Sequence, residues 1–341
     1  MFSNQKVERR PATHLLNILK ETSDHHPNFC LFLGAGTSAS SGIKTAGEMI
    51  RQWRREFHEM YGEEGEGLYD EPSQRREYIE SACVKARPSW GYIYLVNLLA
   101  NNVFNTIFTT NFDDLLNEAC YLYSDSVRPI VCAHDSSIRY VRLTSRRPKV
   151  IKLHGDFLFD NIKNTVRELE TLEDNMKEKF RQYATEFGLI VIGYSGADRS
   201  IMDPLKTLVR SEEYFPHGIY WCVRKGEEVS RSVESLCESD KVHLIEISGF
   251  DELIADMHER LDYPLQRAVS DPFGSTVARL NSLIHAAGIP TTGNVHPIIA
   301  RDIAALGHKI SDGGGESGGE ALLEGITNPS RVLQVPPTPY R

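Results

Sequence analysis

Seven short apolar runs alternate along this chain with stretches of helical periodicity, and that alternation constrains the fold more than any other feature. The runs are FCLFLG (29–34), FNTIFTT (104–110), RPIVCA (128–133), KVIKLHG (149–155), FGLIVIGYSG (187–196), GIYWCV (218–223) and KVHLIEI (241–247). Most lack a polar face, as expected for strands covered on both sides, the habit of parallel sheets. Helical patterns lie at 12–24, 45–57, 73–85, 89–101, 166–186, 201–211 and 250–261. Strands alternating with helices give an open α/β fold: a Rossmann-like, mostly parallel sheet with helices on both faces. The helix-rich stretch 45–101 is too long for one crossover and reads as an inserted helical lobe.

A chain of 341 residues has ample material for a core, with one large domain or two modest ones. A catalytic domain over 1–265 and an extension over 266–341 are expected, because the pattern loosens after Pro264. Helical patterns recur there at 278–288 and 296–307, followed by SDGGGESGGEALLEG and a proline-rich end, compositions that favour disorder. The net charge of −9 argues against nucleic acid as the main partner. No apolar run reaches the ~20 residues that span a bilayer, and the first residues lack a signal-peptide core. A cytoplasmic location is expected. Six scattered cysteines, with no C-x-x-C pair, fit reduced thiols and give no paired-cysteine zinc site.

Chemistry gathers at the strand ends. GAGTSASSG follows the first run, and Gly34 and Gly36 suit a tight turn that lets backbone approach an anionic ligand. Ala39 stands where a dinucleotide fingerprint would carry its third glycine. TTNFDD places Thr110, Asn111 and Asp113 after the second run, LHGD places His154 after the fourth, and GYSGAD places Gly193 and Ser195 after the fifth. Open α/β sheets bind ligands at the carboxyl ends of their strands. Singly, Asn111 is also a helix-capping type and His154 a type found in satisfied cores. Their convergence on one crevice is what points to a site. Asp198, Arg199 and Asp203 are read as a structural ion-pair network at a helix start. Asp156 and Asp160 are read as solvated loop carboxylates.

In this order, GAGTSASSGI, TTNFD, LHG and GYS resemble the sirtuin superfamily of NAD-consuming enzymes, over roughly 29–261. NFDDLL, LHGD and GYSGADRSIMD are most similar to the divergent sirtuin-like domains of bacterial anti-phage defence proteins. The resemblance implies that Gly34, Ala35, Gly36 and Ser38 cradle the NAD pyrophosphate and adjoining ribose. Thr110 joins this binding set. Asn111 would hold the nicotinamide ribose and an attacking water, Asp113 the carboxamide, and His154 would be the general base. Gly193 and Ser195 would line the adenosine side.

The departures are informative. Deacylating sirtuins hold a structural zinc with paired cysteines, which this chain lacks, so no zinc is expected and the helical lobe takes the zinc lobe's place. KTAGEMIR from Lys44 stands where deacylases carry a proline-aspartate-phenylalanine-arginine run. NAD hydrolysis to nicotinamide and ADP-ribose is therefore the expected activity, with NAD depletion in anti-phage defence as its use. Protein deacylation, ADP-ribosyl transfer and a non-catalytic NAD-binding module are the alternatives. The resemblance also implies a homo-oligomer and a controlling partner, a HerA-type ATPase or another sensor. The chemistry suits these residue types. The leaving group of NAD is already cationic, so an amide that orients water and an imidazole that accepts its proton suffice.

Overall fold

The computed structural model describes residues 8–21, 27–61, 72–154 and 174–286, together with 298, 301 and 302. In chain order the elements are β1 (Arg9–Pro11), α1 (Ala12–Glu21), β2 (Phe29–Leu33), a 3-10 helix (Ala35–Ser41), α2 (Ala46–Tyr61), α3 (Pro72–Lys85), α4 (Trp90–Ala100), β3 (Thr106–Thr109) and α5 (Leu115–Leu122). Then follow β4 (Ile130–Cys132), α6 (Asp135–Ile138), β5 (Lys149–Lys152), α7 (Asp174–Glu186), β6 (Gly188–Ile192), α8 (Arg199–Leu208), β7 (Ile219–Arg224), α9 (Arg231–Leu236), β8 (Val242–Ile247) and α10 (Phe250–Leu261). Two further helices are α11 (Arg267–Ser270) and α12 (Pro272–Ala286). The chain divides into two compact units, Met1–Val269 and Ser270–Arg341. In the second, Asp271 Oδ1 accepts from the Gly274 amide at 2.9 Å at the start of α12.

The eight strands form one sheet in the order β1-β8-β7-β6-β2-β3-β5-β4, and every pairing is parallel. The seven apolar runs account for seven of the strands. The exception is β1, whose Arg-Arg-Pro carries no apolar signal and which takes its register from β8 at an edge. β2 shows why continuous apolar sequence is needed. Phe29, Leu31 and Leu33 enter one core cluster, and Cys30 and Phe32 enter the other, on the opposite face. The first cluster is completed by α1, α4, α5 and α10, with Met49, Trp53 and Ile79 from α2 and α3. The second is completed by α6, α7, α8 and α9.

Within the stretch read as an inserted lobe, α4 buries eight of its eleven residues and packs along α10 in the first core layer. Its Tyr92 is almost fully buried. The pattern at 166–173 and most of 296–307 lie outside the described residues, as do Gly155, Asp156 and Asp160. The helix expected at 278–288 begins earlier, at Pro272. All six cysteines are free. Among the described residues, no helix is long and apolar enough to cross a membrane.

The topology locates the candidate crevice. From β2 the chain steps one way to β3, and after β5 it returns to the other side of β2 to form β6. Such a reversal leaves a gap above the carboxyl ends of the strands that flank it. The loops after β2, β3, β5 and β6 all leave from that edge.

Candidate functional site

The turn after β2 is held by backbone. Gly34 N donates to Ile192 O at 2.9 Å, Gly36 N to Gly193 O at 2.8 Å, and Thr37 N to Gly34 O at 3.0 Å. The glycines are required by this contact. A Cβ on Gly34 would stand 2.5 Å from Gly193 O, and one on Gly36 would stand 2.9 Å from Gly193 Cα. Gly193 has φ +68°, and its Cβ would lie 2.6 Å from Thr37 N. The loop after β2 and the loop after β6 thus lie backbone on backbone, an approach that side chains would block. The small residues of the turn admit a second loop. Instead of an α-helix, the turn continues as the 3-10 helix, closed by Gly42 at φ 86°.

That helix presents Thr37 and Ser38 inward, both buried. Thr37 Oγ1 donates to Gly34 O at 2.9 Å. Ser38 Oγ donates to Asp113 Oδ2 at 2.7 Å. The Tyr92 hydroxyl, from α4, lies 3.2 Å from both Thr37 Oγ1 and Ser38 Oγ. Asn111 Nδ2 donates to Thr37 Oγ1 at 3.2 Å and to Ser38 Oγ at 3.0 Å. The Asn111 backbone is fixed by Thr109, whose Oγ1 accepts from the Asn111 amide at 3.0 Å and donates to Leu33 O at 2.9 Å. The Asn111 amide group is therefore clamped by its nitrogen. Its Oδ1 is buried and has no hydrogen-bond partner among the described residues.

Asp113 is buried, with Oδ1 accepting from Leu115 N at 3.2 Å at the start of α5. Burial raises its carboxyl above the usual range, opposed first by the Ser38 hydrogen bond and then by the Lys152 charge. Lys152, 2% exposed, lies under the same turn, donating to Asp113 O at 2.5 Å and Phe112 O at 3.2 Å. A cavity of about 20 Å³, bordered by Tyr92, Thr109, Asn111, Asp113 and Lys152, adjoins the network. One water needs roughly 10–15 Å³ of such space.

His154 follows β5. Since Thr109 is in register with Lys152, His154 stands two residues past its strand pair just as Asn111 does. It is buried, and its Nε2 lies 3.2 Å from Ser200 Oγ and 3.9 Å from Asp198 Oδ1. Asp198 caps α8, its Oδ1 accepting from Ile201 N at 3.1 Å and from Ser200 Oγ at 2.9 Å. Its Oδ2 accepts from the Tyr194 hydroxyl. Asp198 is indeed at a helix start, as the sequence suggested, and it also faces His154.

The other expected residues sit at the same edge. Thr110 N donates to Leu33 O at 3.2 Å, and Ser195 O accepts from Ser230 Oγ at 3.0 Å. Ala35 is half-buried in the 3-10 helix. Thr37, Tyr92, Lys152, Asp198 and Ser200 join the site without having been assigned to it. Lys152 left one signal, a charge in the apolar run KVIKL. Tyr92 left almost none, being one polar tip in the apolar helix WGYIYLVNLLA.

A family model described as SIR2-like domain matches residues 105–245. That span holds Asn111, His154 and Asp198, while the glycine turn precedes it. Among solved structures, the chain is similar to a Sir2 bound to acetylated peptide, at 14% identity over 73% of this chain and 98% of that one, with a TM-score of 0.43. It is similar to Sir2Tm bound to a propionylated peptide at 14% identity, covering 73% and 98%, with a TM-score of 0.42. It is similar to a mutant Sir2 homologue in complex with ADP ribose at 17% identity, covering 74% and 99%, with a TM-score of 0.43. No curated protein matches.

Proposed function

We propose that this protein hydrolyses NAD at the nicotinamide–ribose bond, releasing nicotinamide and ADP-ribose. The observation that carries this reading is the clamped Asn111 side chain, whose buried Oδ1 has no hydrogen-bond partner among the described residues. Leaving a buried acceptor unpaired costs about 1–3 kcal/mol. A ribose hydroxyl or a water donating to Oδ1 would recover that cost, so the site is poised for a donor that binds there. The adjoining cavity has room for one water. In the proposed step, a water oxygen bonds to ribose C1′ and the C1′–nitrogen bond breaks. The bonding pair neutralises the pyridinium nitrogen, and the water's proton passes to His154. Asn111 orients the water without placing a charge in the cleft. Ser38 serves by holding Asn111 and Asp113, and Asp113 by securing the turn that carries Asn111.

As a biological setting, we propose an effector that depletes NAD in anti-phage defence. Its gate would be assembly with itself and with a partner such as a HerA-type ATPase. Incubation with NAD, with and without an acetyl-lysine peptide, tests the chemistry. Nicotinamide and free ADP-ribose, formed at equal rates either way, are the expected products. Acyl-ADP-ribose formed only with peptide would replace this reading with deacylation.

A further inference from the structure

Among the described residues, Thr37 Oγ1 has three polar neighbours: Gly34 O at 2.9 Å, the Tyr92 hydroxyl at 3.2 Å and the Asn111 amide at 3.2 Å. A hydroxyl has one proton and two lone pairs. The Gly34 carbonyl can only accept, so the bond to it uses the Thr37 proton. Oγ1 is then an acceptor towards its other two neighbours. Burial, and after it the Asp113 charge, raises the Tyr92 phenol above its ordinary value, so that group keeps its proton and gives it to Oγ1. The two ends of an amide have nearly the same shape, and its orientation follows from what its partners can accept. Facing an oxygen with no proton to give, Asn111 turns its NH2 to Thr37, and its second amide proton meets Ser38 Oγ at 3.0 Å. Turning the amide over would forfeit both Nδ2 bonds, and Thr37 could reach Oδ1 only by giving up Gly34 O. The Thr37 bonds hold whether or not Asp113 is charged, since no carboxylate is among these neighbours.

We propose that Thr37 is a positioning residue, fixing the Asn111 amide with its carbonyl oxygen offered to the ligand, and that Tyr92 holds Thr37 in the rotamer this requires. The inference rests on the reading of Asn111 as the residue that orients the attacking water. Thr37 suits the task. It is fully buried, its branched Cβ leaves few rotamers, and its backbone N–H shares Gly34 O with its hydroxyl. Tyr92 is held as firmly. Its ring packs at 5.0 Å on Phe250, and Asp251 Oδ1 secures the start of α4 by accepting from Ser89 Oγ at 2.6 Å and Gly91 N at 3.1 Å. A Cβ on Gly91 would collide with that carboxylate oxygen. The helical stretch 45–101 thus contributes a hydroxyl to the site. The group that meets Asn111 has to donate, which a water or a ribose hydroxyl does and an ether or a carboxylate does not.

The test is NMR of the Asn111 side-chain amide in the resting, nitrogen-15-labelled protein, its pair of proton resonances assigned by their loss in Asn111→Asp. NOEs from these protons to the β-protons of Thr37 and Ser38, with slow solvent exchange, are expected. Thr37→Val, which keeps the shape and removes the acceptor, should speed exchange and lower kcat, each ~10-fold, the factor of about one hydrogen bond, with the KM for NAD little changed. Thr37→Ser, which keeps the hydroxyl, should restore both. Tyr92→Phe, which keeps the ring on Phe250, should move both in the same direction by less. Amide protons without these NOEs in the wild type, or wild-type exchange or kcat in Thr37→Val, would overturn the inference. Should Thr37→Val fail to fold, the wild-type NOEs still decide the orientation, and wild-type exchange in Tyr92→Phe would overturn the role of the cradle. The spectrum needs no turnover. A protein that leaves NAD intact yet shows the NOEs would refute the hydrolase reading alone, and an active enzyme with the amide turned over would refute this inference alone.

Discussion

Replacing Ser38 by alanine removes the hydroxyl that joins the Asn111 amide, the Asp113 carboxylate and the Tyr92 phenol. The largest loss is the 2.7 Å bond to Asp113 Oδ2. A hydrogen bond to a charged group contributes about 1.5–3 kcal/mol, which corresponds to roughly one to two pKa units on the carboxyl. Burial already raises that carboxyl, and the Ser38 bond is the first influence that opposes the rise. The variant's carboxyl therefore titrates higher still. A carboxyl raised on folding makes the protein bind protons more readily folded than unfolded, so stability falls as pH rises through the folded value. Where Asp113 is protonated in both proteins, the serine bond is to a neutral acid and the difference in stability is small. The difference should widen as pH rises between the wild-type and variant values, then level at ~1.5–3 kcal/mol. Urea unfolding of both proteins, over the pH range in which both stay folded, measures it. A gap that stays near zero up to the highest pH at which both proteins remain folded would refute the picture of an ionised Asp113 held by Ser38.

Gly34→Ala should cost about 2–3 kcal/mol by forced contact with Gly193 O, visible in the denaturation midpoint with no NAD present. A stable Gly34→Ala protein would instead assign the glycine to ligand clearance. Lys149, buried with its Nζ on Ser145 O at 2.6 Å, has its pKa lowered to about 8 by desolvation. Stability held by a lowered lysine pKa is lost as pH falls through the folded value. The wild type should therefore gain on Lys149→Met as pH rises from about 8 toward 10.5, measured by paired unfolding curves. Lys152→Met strips two carbonyls of the turn after β3 of their ammonium donor. It should lower kcat more than ~10-fold by loosening Asn111, whereas a changed KM alone would separate Lys152 from that role.

The sheet was legible because buried parallel strands must be apolar on both faces, and seven of eight announced themselves that way. β1 was not, since three residues ending in proline at an edge need no apolar side chains and take their place only from β8. The strand-end residues Asn111 and His154 were legible as polar groups where apolar runs stop. The contact of the glycines with the Gly193 loop was not, because nothing in a local run of small residues names the distant segment that packs on it. Tyr92 and Ser200 were hidden for a related reason. Each belongs to a helix whose pattern is set by packing, and only the fold brings the hydroxyls to Ser38 and His154.

Nicotinamide release from NAD by the wild type and by Asn111→Ala, compared at matched thermal stability, decides whether Asn111 acts at the reacting centre. A fall in kcat of at least ~10²-fold with the fold intact is expected, as for removal of a positioned donor–acceptor at a reacting centre. Wild-type turnover in Asn111→Ala would contradict it.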